Sequence, residues 1–141
     1  MPKIKHIALS AKDADATAKF FIEVFGMKEI EKFDGHGARG YYLSDGDFNL
    51  AILDFKNDAV AGAERGKDWH GIHHIGFQVE SLDVIHEKLI AAGSAPRDDV
   101  NEALGVGRGA RQESNVEVKY SGPDGIMIDV SETGWVGTSR P

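Results

Sequence analysis

The chain has 141 residues, which suits one domain with a hydrophobic core. Its formal net charge of −7, without a cluster of lysine and arginine, argues against a nucleic-acid partner. The absence of cysteine excludes disulfides and thiolate metal sites, so any metal must be bound by nitrogen and oxygen atoms. No apolar run approaches the ~20 residues that cross a bilayer, and no signal-peptide pattern precedes the first predicted strand, so we expect a cytoplasmic protein without a membrane partner.

The first half of the chain predicts one strand, one helix and three further strands. The helix begins at Asp13 or Asp15, which can cap its first turn, and ends at Gly26. Its expected apolar stripe consists of Ala18, Phe21, Val24 and Phe25. The strands are predicted at residues 4–11, 28–33, 39–44 and 48–53.

The second half predicts the same order of elements. A strand at residues 71–79 leads to a helix that Ser81 caps and Gly93 ends. The apolar face of this helix contains Leu82, Ile85, Leu89 and Ala92. A weak strand at residues 95–100, a glycine-rich loop at residues 105–109, and strands at residues 115–120 and 126–131 follow.

The two halves match in spacing, because His6 precedes the Asp13 cap by the same seven residues that separate His74 from Ser81. An internal duplication of βαβββ units explains this match. We therefore predict an α+β fold, a single domain at residues 1–141. Module one covers about residues 1–55, a connection 56–69, module two about 70–132, and a tail 133–141.

Alternation along the strands predicts which side chains face a cleft between the modules. His6 shares its face with small residues, and His74 shares its face with Gly76 and Gln78, opposite the apolar side chains of the same strand. The same rule places His73 on the packed face and Asp129 on the cleft face. In the preceding strand, the residues predicted to face the cleft are Asn115, Glu117 and Lys119.

Three segments carry a resemblance to a known superfamily: KHIAL at residues 5–9, HHIGF at residues 73–77 and GPDGIMID at residues 122–129. In this order and spacing, they resemble the vicinal oxygen chelate superfamily, which includes glyoxalase I, bleomycin resistance proteins and extradiol dioxygenases. The resemblance implies two βαβββ modules that pair into a cupped mixed sheet. It also implies metal ligands on the first and last strands of each module.

Carried over residue by residue, the resemblance implies that His6, His74 and Asp129 are metal ligands. Ala51 stands where glyoxalase I has a second carboxylate, and Asp129 is one methylene shorter than the glutamate of most relatives. Two histidines and one carboxylate suit a divalent ion such as Fe, Mn, Ni or Zn and leave coordination positions open.

The function that follows is that of a metal-dependent enzyme acting on a small, vicinally oxygenated metabolite. We expect lyase or isomerase chemistry through a metal-stabilised enediolate, in which Lys119 offers a cation to the developing oxyanion and Glu117 transfers a proton. Gln78, Arg108 and Arg111 are the expected substrate-binding residues. The resemblance also implies a homodimer.

Several alternatives stay open at this point. The protein could be an extradiol-type dioxygenase, or a non-catalytic binding protein that sequesters a ligand, as bleomycin resistance proteins do. Glu117 and Lys119 could form a surface ion pair on an outer strand, and the loop with Arg108 and Arg111 could have no ligand role. Metal analysis separates the enzyme class from the sequestering class.

Overall fold

A computed structural model describes residues 1–105 and 117–139, in which eight strands form one mixed sheet in the order β2-β3-β4-β1-β5-β8-β7-β6. The strands are β1 (Lys3–Ser10), β2 (Lys28–Asp34), β3 (Ala38–Ser44), β4 (Asn49–Phe55), β5 (Gly71–Gln78), β6 (Ala95–Pro96), β7 (Val118–Ser121) and β8 (Met127–Ser131). The helices are α1 (Ala14–Phe25), α2 (Asp58–Ala61), α3 (Leu82–Ala91) and α4 (Asp98–Leu104), with a 3₁₀ turn at Pro123–Gly125. No described helix is long and apolar enough to cross a membrane.

The sheet is built from two equivalent halves joined through their first strands. In each half the first and last strands run parallel, β1 beside β4 and β5 beside β8, while β1 and β5 pair antiparallel across the junction. The registers of the two parallel pairs also correspond. Ala8 and Gly76 each stand two residues after the histidine of their strand, and they lie opposite Ala51 and Asp129, respectively. The predicted α+β fold of two βαβββ modules is confirmed.

Local sequence accounts for the starts of both long helices. The Asp13 side chain accepts a hydrogen bond from the Ala16 backbone N–H at 3.0 Å. The Ser81 hydroxyl accepts one from the Val84 N–H at 3.2 Å. Each satisfies a backbone donor that the first helical turn leaves without a partner. These caps fix where the chain leaves the sheet after β1 and β5.

The buried face of α1 differs from the predicted stripe. Ala18 and Phe21 pack into the core together with Ala14 and Ile22, but Val24 and Phe25 are largely exposed. The small side chains of Ala14 and Ala18 bring the helix close to β3 and β4, so the stripe follows residues 14, 18, 21 and 22. The stripe predicted for α3 is confirmed at three positions, Leu82, Ile85 and Leu89, whereas Ala92 is exposed.

One prediction about the connections is wrong. The strand predicted at residues 95–100 is only two residues long, and α4 begins at Asp98, ends at Leu104 and buries Val100 and Asn101. The connection predicted at residues 56–69 contains the short helix α2, which buries Val60. Helices α2 and α4 pack together with the end of β4 in an apolar cluster that contains Val60, Leu104 and Phe55. Most of the glycine-rich loop lies outside the described residues.

Candidate metal centre

Three side chains from three adjacent strands converge at the middle of the sheet. The Nε2 atoms of His6 on β1 and His74 on β5 lie 3.1 Å apart. The Oδ2 atom of Asp129 on β8 lies 3.3 Å from His74 Nε2 and 3.9 Å from His6 Nε2. All three side chains are buried. The structure thus brings together the three residues predicted as ligands.

Two of the three separations, 3.1 and 3.3 Å, match those between ligands of a divalent ion, and the third, between His6 and Asp129, is wider at 3.9 Å. Metal–ligand bonds of about 2.1 Å place neighbouring ligand atoms roughly 3.0 to 3.4 Å apart at octahedral or tetrahedral angles. Asp129 reaches the histidines although its side chain is shorter than a glutamate. Its Oδ2 is also the buried side-chain atom that lacks a hydrogen-bond partner within the described part of the chain. A buried carboxylate oxygen without a partner is costly, and a cation would satisfy it.

The ring of His6 is held in one orientation from both sides. Its Nδ1 lies 2.7 Å from Asn49 Oδ1, while the Asn49 amide nitrogen donates to the Val136 carbonyl at 3.0 Å. Asn49 Oδ1 is therefore an acceptor, His6 carries its proton on Nδ1, and its Nε2 lone pair faces the centre. The indole of Trp135 stacks on the ring with centroids 4.6 Å apart. Burial and the neighbouring His74 lower the pKa of His6 to about 3, so the ring is neutral.

A β-bulge changes the predicted place of His73. Ala8 pairs with His74 but Leu9 pairs with Ile72, so His73 is an extra residue in β5. The prediction that His73 lies on the packed face of its strand is therefore wrong. The His73 side chain lies buried beside His74, with the two Nδ1 atoms 2.8 Å apart. Burial lowers the pKa of His73 and of His74 to about 4.

Glu117 and Lys119 lie beside the three candidate ligands. Lys119 is 7% exposed and its ammonium lies 3.1 Å from Asp129 Oδ1. Burial alone would lower the pKa of Lys119, but Asp129 and Glu117 outweigh it and raise the pKa. Burial also favours a protonated Asp129, yet Lys119 and His74 outweigh that effect and hold its pKa below the usual range. Lys119 is therefore not a surface residue, and Asp129 is a carboxylate.

Glu117 precedes β7 and has a carboxyl group that titrates near neutrality. Burial and the nearby charge of Asp129 raise its pKa from 4.5 to about 7. The Trp135 indole N–H donates a hydrogen bond to Glu117 Oε1, which orients the carboxyl group. A carboxyl group with such a pKa can both accept and release a proton at neutral pH.

A cavity of about 280 Å³ opens beside these groups. Its polar end contains His6, His74, Glu117, Lys119 and Tyr42. Its remaining wall is mostly apolar, formed by Phe33, Ala38, Ala51, Leu53, Phe55 and Leu104 with Gly35 and Gly37. Ala51 stands at the position of the second carboxylate of glyoxalase I. Because alanine has no ligand atom, the cavity reaches the candidate metal centre at this position.

Gln78, predicted to bind the substrate, is not among the residues that line this cavity. Gln78 lies four residues beyond His74 on β5, roughly 13 Å along the strand, and its amide donates to the Glu132 carbonyl at 3.2 Å. Trp135 packs over Gly76 and so separates Gln78 from the centre. A role of Gln78 in binding the substrate therefore stays a prediction. Arg108 and Arg111, like Asn115, lie outside the described residues.

Sequence reasoning missed three residues that support the centre: Asn49, His73 and Trp135. Alternation places Asn49 on the same face of its strand as Ala51, which was an available clue. Trp135 belongs to the segment predicted to be a tail, and no periodic pattern marks it. Its stacking on His6 and its hydrogen bond to Glu117 make this segment part of the site.

Comparisons with known proteins agree with this architecture. The profile of the Glyoxalase/Bleomycin resistance protein/Dioxygenase superfamily matches residues 3–130. No curated protein sequence matches the chain. A methylmalonyl-CoA epimerase in complex with methylmalonyl-CoA and NH4+ is similar in structure, with a TM-score of 0.71, 21% identity and coverage of 93% of this chain and 94% of that chain.

Two further solved structures have the same fold. A variant methylmalonyl-CoA epimerase of Streptomyces coelicolor, in complex with 2-nitronate-propionyl-CoA, has a TM-score of 0.72 at 20% identity and covers 99% of this chain and 98% of that chain. The epimerase of Mycobacterium tuberculosis has a TM-score of 0.65 at 17% identity and covers 91% and 85%. The profile match over residues 3–130, with the paired modules described above, shows that the chain belongs to the glyoxalase/bleomycin resistance protein/dioxygenase superfamily.

Proposed function

We propose that this protein is a divalent-metal enzyme of the isomerase or lyase type that removes a proton next to a carbonyl group of a small substrate. The observation that carries the proposal is the convergence of His6 Nε2, His74 Nε2 and Asp129 Oδ2 on one point. Three protein ligands leave coordination positions for a substrate that offers oxygens on adjacent carbons. An ion bound there would supply Lewis-acid polarisation of the substrate carbonyl.

Glu117 is the proposed general base. Its carboxyl group lines the cavity, and its pKa of about 7 matches a group that takes a proton from carbon and returns it at neutral pH. The hydrogen bond from Trp135 fixes the direction in which the carboxyl group points. Return of that proton by Glu117 to the adjacent carbon of the enediolate would give isomerisation, and loss of a leaving group instead would give a lyase reaction.

Lys119 is the proposed electrostatic partner of the reaction. In this structure its ammonium pairs with Asp129 Oδ1, so part of its charge is neutralised. Lys119 lines the cavity, and its ammonium can donate further hydrogen bonds, because Lys has three N–H donors. A developing negative charge on a substrate oxygen would be stabilised at this end of the cavity.

The proposed substrate has a polar end and an apolar remainder. The metal centre and Lys119 would bind two oxygens, while Phe33, Leu53 and Phe55 would contact carbon atoms. The structural neighbours are epimerases that act on a CoA thioester, which supports including such thioesters among the candidate substrates. Small 2-oxo and 2-hydroxy acids are the other class that fits a cavity of about 280 Å³.

Solvent deuterium exchange tests this proposal directly. Protein loaded with Mn, Ni, Zn or Fe(II) is incubated in D₂O with a panel of 2-oxo acids, 2-hydroxy acids and methylmalonyl-CoA, and the C–H next to the carbonyl is followed by proton NMR. We expect metal-dependent exchange of at least one compound, and loss of that exchange in Glu117→Gln. The His70→Ala variant is the control, because His70 is exposed and does not line the cavity.

Two other results would favour a different functional class. Saturable binding of a compound without exchange under any metal loading would favour the sequestering class. Oxygen consumption by the Fe(II)-loaded protein, with ring cleavage of a catechol, would favour the dioxygenase class. Exchange that persists unchanged in Glu117→Gln would refute the role of Glu117 as base.

A further inference from the structure

His73 links the second candidate ligand to the backbone through a chain of two hydrogen bonds. Its Nε2 lies 2.6 Å from the carbonyl oxygen of Ala61, and its Nδ1 lies 2.8 Å from Nδ1 of His74. A carbonyl oxygen only accepts hydrogen bonds, so the neutral His73 ring carries its proton on Nε2. His73 Nδ1 is then an acceptor, and the proton between the two rings belongs to His74.

We propose that His73 is a positioning residue that holds His74 in the tautomer with its proton on Nδ1 and a free lone pair on Nε2. This inference rests on the proposed function, since it takes the centre formed by His6, His74 and Asp129 as a metal site. Only the unprotonated Nε2 can bind a metal ion, and the partner of the other ring nitrogen decides which nitrogen is unprotonated.

The need for such a partner follows from what surrounds His74 Nε2. Asp129 Oδ2 lies 3.3 Å away and His6 Nε2 lies 3.1 Å away, and both are acceptors. If His74 carried its proton on Nε2, it would donate that proton to one of them, and its Nε2 would have no lone pair for a metal ion. That tautomer would close the centre to a cation. An acceptor at His73 Nδ1 favours the opposite tautomer and keeps the centre open.

Several contacts fix His73 for this task. The bulge in β5 directs its side chain to the same side of the sheet as His74. Ala61 is the last residue of α2, where backbone carbonyls lack a helical partner and are free to accept. Arg65 donates to the His73 carbonyl at 2.6 Å and lies over the Trp69 ring at 4.3 Å. The connection between the modules is therefore part of the support of the centre.

Nitrogen NMR of the metal-free protein tests the assignment without any activity. Protein labelled with ¹⁵N at histidine is purified with a chelator, and two-bond N–H correlations give the tautomer of each ring. We expect His74 protonated on Nδ1 and His73 protonated on Nε2. A wild-type His74 protonated on Nε2 would overturn the proposal, whatever the protein binds or catalyses.

Two matched variants test the effect on metal binding. Leucine and asparagine have the same branched shape, but only asparagine offers an oxygen acceptor near the position of His73 Nδ1. We expect His73→Leu to lose about 10- to 100-fold in Zn(II) affinity, the range seen for partners of metal ligands, and to shift His74 to the Nε2-protonated tautomer. His73→Asn should restore most of the affinity, and the exposed His70→Leu should not change it.

The outcomes separate this inference from the proposed function. Zn(II) affinity unchanged in His73→Leu, or lowered equally in the leucine and asparagine variants, would overturn the positioning role. If wild-type protein binds no metal ion at all, the proposed function fails, while the NMR measurement on metal-free protein still decides the tautomer of His74.

Discussion

Replacing Asp129 by asparagine should destabilise the metal-free protein strongly, because it removes one partner of a buried ion pair. Asp129 is fully buried and its Oδ1 accepts from Lys119, which is itself buried. Asparagine keeps the shape of the side chain but leaves the Lys119 ammonium without its carboxylate. Breaking a buried pair in this way costs about 3–5 kcal/mol. Glu117 also stabilises the ammonium, so we expect a loss of about 3 kcal/mol, the lower end of that range.

Urea unfolding with a chelator at pH 7 measures this loss as a change in midpoint at constant slope. The Lys119→Met substitution in the Asp129→Asn background should recover part of the stability, because the uncompensated charge is then absent. We expect a coupling free energy of about 1–3 kcal/mol between the two positions. Glu23→Gln is the control, since its pair with Lys19 is exposed and should contribute less than about 0.5 kcal/mol.

Two results would refute this reasoning. The first is a loss below about 1 kcal/mol in Asp129→Asn, the level of an ordinary substitution. The second is strict additivity of the two substitutions in the double variant. Either result would mean that Lys119 and Asp129 do not form the buried pair described here.

Three further predictions follow from the surroundings of the centre. Trp135→Phe removes the hydrogen bond that lowers the pKa of Glu117, so the acid limb of the pH profile of kcat/KM should move to higher pH; an unchanged limb would contradict this. Gly76→Ala places a Cβ 2.7 Å from the Trp135 ring and 2.9 Å from His6 Cβ, and should cost about 1–3 kcal/mol in thermal or urea unfolding; full stability would show that the ring moves freely. The pKa values of His6 and His74 fall from 6.5 to about 3 and about 4, so the folded protein favours neutral rings. Below about pH 6.5 the unfolded chain binds protons at these histidines and the folded protein does not, so the free energy of unfolding should decrease as the pH falls toward 4. Urea unfolding of the metal-free protein across this pH range measures the decrease, and a constant free energy of unfolding would contradict the prediction.

The sheet face on which each candidate ligand lies was predictable because strand alternation is a local property, whereas the ligand roles were implied by the family resemblance. His6, His74 and Asp129 each stand on a strand whose apolar face is evident from its neighbours, and the matched spacing of the two halves aligned the first two. The alternation of side chains along a strand can be followed without knowing which strand is its neighbour. It fails only where pairing inserts an extra residue, as at His73, because a bulge is defined by the partner strand.

The contacts of the supporting residues were not predictable, because they join distant parts of the chain. The hydrogen bond between Asn49 and His6 joins residues 43 positions apart in the sequence, and the one between Trp135 and Glu117 joins residues 18 positions apart. Helix α4 was missed for a similar reason. The Asn101 side chain bonds the backbone of Lys119 on both sides, accepting from its N–H at 2.9 Å and donating to its carbonyl at 3.0 Å. That pairing overrides the weak strand tendency of the preceding residues.

Titration of the metal-free protein with Co(II), read by visible absorption and by X-ray absorption at the bound ion, tests the central claim most directly. We predict one ion per chain, with two histidine nitrogens in its coordination shell, and loss of this binding in His6→Ala, His74→Ala and Asp129→Ala but not in His70→Ala. Absence of binding by the wild-type protein, or equal binding by the His6→Ala and His74→Ala variants, would contradict the account.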